Sequence, residues 1–93
     1  MTGQKAIAAT VTGRVQGVGY RYSVLNVAGR LGLTGWVRNA PDGSVETWAQ
    51  GRAPVLEEFV AFLKQGPRSA HVETVSVHSV APDESLSRFT VRS

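Results

Sequence analysis

Cysteine is absent from this chain of 93 residues. Its absence excludes disulfides, thiolate metal sites and cysteine nucleophiles, including every phosphatase that works through a phosphocysteine. Long apolar runs are absent as well: the N-terminal run at residues 6–9 is too short for a signal-peptide core or a membrane span. Acidic side chains are missing from residues 1–41, which carry Lys5, Arg14, Arg21, Arg30 and Arg38, while residues 42–93 hold all seven acids. The net charge of +3 therefore conceals a polarised chain, and an acid-free first half points to an anionic ligand there. Scattered surface arginines are the plainer explanation of the same charge.

What is present is ordinary in amount. A hydrophobic fraction of 42% with 18% charged residues suits a folded globular chain, and this length suits one domain over residues 1–93. The expectation is a cytoplasmic monomer that contacts no membrane.

Patterning supplies the elements. Residues 5–12 alternate, with Ile7, Ala9 and Val11 on one face, and predict a half-buried strand. From Arg21 the period changes, placing Val24, Val27, Ala28 and Leu31 on one face of a helix that Gly32 stops. Gly29 inside that helix costs about 1 kcal/mol against alanine, which close packing of the helix on the sheet would explain. Strands follow at residues 34–39 and 44–50, joined by the turn Ala40-Pro41-Asp42-Gly43. A second helix has Pro54 in its first turn and Val55, Leu56, Phe59, Phe62 and Leu63 on one face. Glu57 and Glu58 near its start and Lys64 near its end suit the macrodipole, and Gly66-Pro67 ends it. Residues 72–80 and 88–92 read as the last two strands, with Phe89 and Val91 inward. The order predicts an α+β chain, a ferredoxin-like α/β sandwich: βαββαβ with a short extra C-terminal strand, an antiparallel sheet and both helices on one face. Many functions use that fold, so chemistry has to be read from the site.

Between the first strand and the first helix stands "GRVQGVGYR", residues 13–21. Free N–H groups and the positive end of the helix dipole converge at such a junction and favour an anion. Gly17 and Gly19 allow positive φ and close approach, so that successive amides form a nest for phosphate oxygens. Arg21 adds a planar fork of donors, at a small cost against the dipole that a bound anion reverses. A tight strand–helix turn is the alternative use of these glycines. A Walker loop is excluded because no lysine is followed by serine or threonine, and the dinucleotide fingerprint fails at Tyr22.

The stretch resembles the acylphosphatase signature, roughly G-x-V-Q-G-V-x-[FY]-R. A second stretch at residues 35–46, from Gly35-Trp36-Val37-Arg38-Asn39 to Asp42-Gly43-Ser44-Val45-Glu46, resembles that family's G-W-V-x-N-x-x-D-G-x-V-E. Order and spacing also match, and Gln50-Gly51 and Gly66-Pro67 fall where the family has turns. Departures are Tyr20, where phenylalanine is commoner and which would tune substrate preference at the loop rim, and Gln50, where glutamate is usual.

The resemblance implies hydrolysis of a small-molecule acyl phosphate to a carboxylate and inorganic phosphate, the product also acting as competitive inhibitor. It implies that Arg21 and the backbone amides of Gln16, Gly17, Val18, Gly19, Tyr20 and Arg21 bind the phosphoryl group, and that Asn39 orients the attacking water. No cofactor and no metal are expected: no metal-ligating cluster is evident in the sequence, and a carboxylate leaves without help from a general acid. Asn39 taken alone also reads as a turn residue opening the hairpin.

Other residues give weaker signals. His71 and His78 read as surface histidines on opposite faces of a strand, and Trp36 and Trp48 as a cover for the sheet. Arg14 and Arg38 would steer anions or merely be solvated. Asp42 and Glu46 suit the hairpin turn and an exposed strand face. Two rival classes remain, a nucleic-acid-binding module and a non-catalytic phosphate-binding or regulatory domain. The first lacks its aromatic central-strand motif, since residues 44–50 read SVETWAQ, and no nucleic-acid partner is expected.

Overall fold

Alternation carries the chain through strand β1 (Gln4–Arg14) in the computed structural model, which describes residues 4–93. Ala9 and Val11 are buried, and Ile7 packs against the same core. β1 runs past the expected end at Thr12 because its register against β4 (His71–Val80) shifts between Thr12 and Gly13 and pairing then resumes. Gly13 permits that bulge: it sits at φ 125°, where a Cβ would run into the His71 carbonyl.

Helix α1 (Tyr20–Arg30) follows, burying Tyr20, Val24 and Ala28. It closes with the Leu33 N–H on the Ala28 carbonyl and the Gly32 N–H on Gly29, around Gly32 at φ 71°. This is a Schellman stop, as the glycine predicts. Gly29 itself does not fit its expected role. It is exposed, and a Cβ there would meet nothing within 4 Å, so close packing is not the reason for the glycine.

β2 (Thr34–Asn39) and β3 (Val45–Arg52) form the hairpin. The carboxylate of Asp42 shapes its turn by accepting from the Ser44 N–H at 3.0 Å and the Ser44 hydroxyl at 2.7 Å. These bonds hold the Asp42 carboxyl below the usual carboxylate range. α2 (Ala53–Gln65) buries Leu56, Phe59 and Leu63, with Val55 and Phe62 packed beside them. It begins early enough that no acid lies in its first turn; Glu57 and Glu58 sit one turn further in, where the dipole has largely faded.

The strand order is β4-β1-β3-β2-β5, with β5 spanning Phe89–Arg92. The four strands of the βαββαβ unit are antiparallel, and β5 adds alongside β2 in parallel. Core residues of both helices meet Ala9, Val11, Val37, Ala49 and Phe89 in one cluster, so the helices share a face of the sheet. The loop leading to β5 is fastened by Gln50. Its amide oxygen accepts from the Asp83 N–H and its amide nitrogen donates to the Asp83 carbonyl, both at 2.8 Å. A glutamate there could accept but not donate, which gives the amide a structural purpose.

On the open face Trp36 and Trp48 lie opposite one another, both half-buried. The Arg92 guanidinium lies 4.7 Å from the centre of the Trp36 ring. The tryptophans cover the sheet, as expected, and the stacking surface of one is taken by an arginine.

Candidate active site

The chain leaves β1 through Val15, almost fully buried, and enters α1 through Gly19. Gly17 and Gly19 adopt φ of 75° and 82°, left-handed values that other residues rarely hold. A Cβ at either position would meet nothing within 4 Å. Backbone conformation is thus what requires glycine here, and the space beside it is open. Gly19 is the N-cap and supplies no side chain, so the leading amides of α1 are uncapped. They face a hollow of about 190 Å3 bordered by Gly17, Gly19, Tyr20 and Arg21, with Val15, Tyr22 and Val91 completing its wall. No acid borders it. Arg21 is half-buried, and among the described residues its guanidinium has neither an ion-pair nor a hydrogen-bond partner. A half-buried cation without a counter-ion, beside uncapped amides, is a site short of negative charge.

Asn39 ends β2 on the helix side of the sheet, two residues after the buried Val37. Its Oδ1 is buried and has no hydrogen-bond partner among the described residues. A buried amide oxygen left empty needs a donor, and water is the smallest one available. The glycine turn and this asparagine are tied together by Gln16. Its side-chain nitrogen donates to the carbonyls of Ala40 and Ser44, each at 2.8 Å, bridging both ends of the turn that follows Asn39. On the other side, the Ser69 hydroxyl donates to the Val18 carbonyl at 2.6 Å. The loop is therefore braced from the hairpin and from the α2–β4 connection.

Tyr20 departs from expectation. Its side chain is not at a rim; it is 1% exposed and points inward. Its hydroxyl donates to the Leu63 carbonyl at 2.8 Å. That carbonyl would ordinarily receive the N–H four residues on, but residue 67 is proline and has none. Tyr20 supplies the missing donor and pins the start of α1 to the end of α2. Burial pushes its phenol well above the ordinary value.

Arg38 is not a free steering charge, because Glu46 pairs with it across the hairpin at 2.6 Å. Arg14 is exposed, and His71 and His78 lie exposed on β4 away from the hollow. Among the described residues no cluster of three metal-ligating side chains occurs, and no helix is long and apolar enough to cross a membrane. The side chains of Gln16 and Ser69, and the wall residues Tyr22 and Val91, went unassigned in the sequence. The bonds of Gln16 and Ser69 and the place of Val91 depend on contacts between distant segments, and only the inward face of Val91 was legible.

Comparison with known proteins adds to this geometry. The acylphosphatase family model matches residues 7–91. An acylphosphatase of Trichormus variabilis is 51% identical over 82 residues, covering 88% of this chain and 80% of that protein. The structure of an acylphosphatase from Coxiella burnetii superposes with a TM-score of 0.90 at 40% identity, over 97% of this chain and 94% of that one. The acylphosphatase structure from Bacillus subtilis gives 0.91 at 38% identity, over 96% and 99%.

Proposed function

Because the chain belongs to the acylphosphatase family of hydrolases, we propose that it cleaves the carboxyl–phosphate bond of acyl phosphates by a metal-free route divided between the glycine turn and Asn39. The amides of Gln16, Gly17, Val18, Gly19, Tyr20 and Arg21, with the Arg21 guanidinium, hold the phosphoryl oxygens. Asn39 accepts a hydrogen bond from water through Oδ1 and aims it at phosphorus. The P–O bond to the acyl group breaks, and its electron pair departs on the carboxylate. The water's proton passes to a phosphate oxygen.

The observation that carries this reading is the pair of unmet groups: an Arg21 guanidinium without an anion and a buried Asn39 oxygen without a donor. A dianionic phosphoryl group meets the first and water the second. Chemistry supports the economy of the site. A carboxylate leaves readily, its conjugate acid having a pKa of about 4, so no general acid is required. Phosphoryl transfer through a loose transition state rewards positioning and charge stabilisation, which amides and one arginine provide. An asparagine serves where an aspartate would repel the dianion.

Turnover of benzoyl phosphate and acetyl phosphate, measured beside a phosphate monoester and in excess chelator, tests the proposal. Hydrolysis of both acyl phosphates, competitive inhibition by inorganic phosphate and negligible monoester cleavage are expected. Loss of activity on chelation, restored by a divalent ion, would overturn the metal-free route.

A further inference from the structure

Three large hydrophobic side chains are well exposed among the described residues: Tyr22 at 69%, Val91 at 42% and Val77 at 39%. Isolated exposed apolar residues are ordinary and need no purpose. Tyr22 and Val91, however, come from the helix after the glycine turn and from the last strand, and both border the same hollow as Gly17, Gly19 and Arg21. Their meeting there is a product of the fold. Helical Cα–Cβ bonds tilt toward the N-terminus, so Tyr22, third in α1, covers the turn that precedes it. Val91 pairs with Val37 and shares the inward face of β5 with the buried Phe89, which brings it past the open end of the core to the mouth of the hollow.

We propose that Tyr22 and Val91 form the subsite for the acyl group and favour acyl phosphates whose acyl group is aromatic. The inference rests on the phosphoryl reading of the glycine turn and adds the part of the substrate that reading leaves unplaced. A cavity of about 150 Å3 takes a benzene ring. A hollow of about 190 Å3 that also receives a phosphoryl group has room for only the near end of the acyl group. The remainder lies outside, across whatever forms the lip. That lip is a phenol ring and an isopropyl group, with no acid beside them. A flat ring packs against such a surface by area and by offset aromatic contact, and an acetyl group offers almost nothing to it.

Binding and turnover together test this. Benzylphosphonate and methylphosphonate, whose C–P bonds the site does not hydrolyse, are titrated into wild type, Tyr22→Ser, Val91→Ser and Tyr22→Phe. Wild type is expected to bind benzylphosphonate about tenfold more tightly, the order of discrimination an apolar pocket gives. Tyr22→Ser should erase most of that ratio, Val91→Ser part of it, and Tyr22→Phe should preserve it. The ratio of kcat/KM for benzoyl phosphate to that for acetyl phosphate should follow the same order. Equal affinity of wild type for the two phosphonates, or a ratio indifferent to both serine variants, overturns the subsite. Failure of the hydrolytic reading looks different: the phosphonates still discriminate while neither acyl phosphate is consumed.

Discussion

Tyr20 and Asp42 show how much a single polar atom decides in a chain this small. The Tyr20 hydroxyl repairs a carbonyl that Pro67 cannot serve, so Tyr20→Phe should cost about 1–3 kcal/mol by leaving that acceptor buried and empty. It should also change the alkaline limb of stability. The folded phenol has a raised pKa, so its contribution is complete below the ordinary value of about 10 and declines as pH climbs toward the folded value, the unfolded side chain ionising first. Denaturant midpoints of wild type and Tyr20→Phe between pH 8 and pH 11, on the order of the ordinary phenol range, check both points: the gap should be largest at the lower pH and shrink as pH rises. Asp42 behaves in the opposite sense. Its carboxyl pKa is lowered by the bonds to Ser44, so its contribution is present above the ordinary carboxylate range and disappears as pH falls through the folded value. Asp42→Asn should flatten the acid limb, a change visible in thermal melts taken between neutrality and strong acid.

Elements were the most legible level, and their errors have physical causes. Alternation and the 3.6-residue period located both helices and β1, because each buries one face, and Gly32, Gly66 and the Asp42-Gly43 turn placed the ends of the elements. β4, which buries no residue fully, was legible only as an apolar, β-branched run. The extension of β1 to Arg14 could not be read, since it depends on a bulge against a strand nearly sixty residues later. The parallel pairing of β5 with β2 was likewise not legible, since it joins segments more than fifty residues apart, and the loop that leads to β5 is held by the Gln50 bonds to Asp83. Gly29 is the instructive miss. A glycine in a helix suggests a close neighbour, yet its surroundings are open and its φ lies outside the left-handed range. Gly29→Ala should therefore stabilise the protein by about 1 kcal/mol, raising Tm by about 4–8 °C for a domain of this size. A lower Tm would reveal a contact or a conformational demand at that position.

Across the whole molecule, the fold turns a one-dimensional charge pattern into a three-dimensional one. The acid-free first half makes β1, the glycine turn, α1 and β2, and the hollow at their junction has no acidic wall. Of the acids that follow, Glu46 is spent on Arg38 and Asp42 on its own turn. The glycine turn and Arg21 at its edge were legible as an anion-binding junction, because glycines and an arginine between a strand and a helix carry that meaning without the fold. Asn39 was legible as a turn residue at the end of β2, and the role proposed for it came only from the resemblance to the acylphosphatase signature. What joins them was not legible. The Gln16 bridge to Ala40 and Ser44 and the Ser69 bond to Val18 exist only once segments distant in sequence are packed together.

The central claim is a division of labour, with the glycine turn and Arg21 binding the phosphoryl group and Asn39 holding the water. Phosphate affinity and kcat measured side by side for wild type, Asn39→Ala and Asn39→Asp address it directly. Water positioning matters in the transition state, so Asn39→Ala should lower kcat by about a hundredfold or more while phosphate affinity stays near wild type. Asn39→Asp keeps an acceptor but adds a charge, and should weaken phosphate binding at neutral pH where the alanine variant does not. Strong and equal loss of phosphate binding in both variants would make Asn39 a phosphoryl ligand, and undiminished kcat in Asn39→Ala would reduce it to a turn residue; either result contradicts the account.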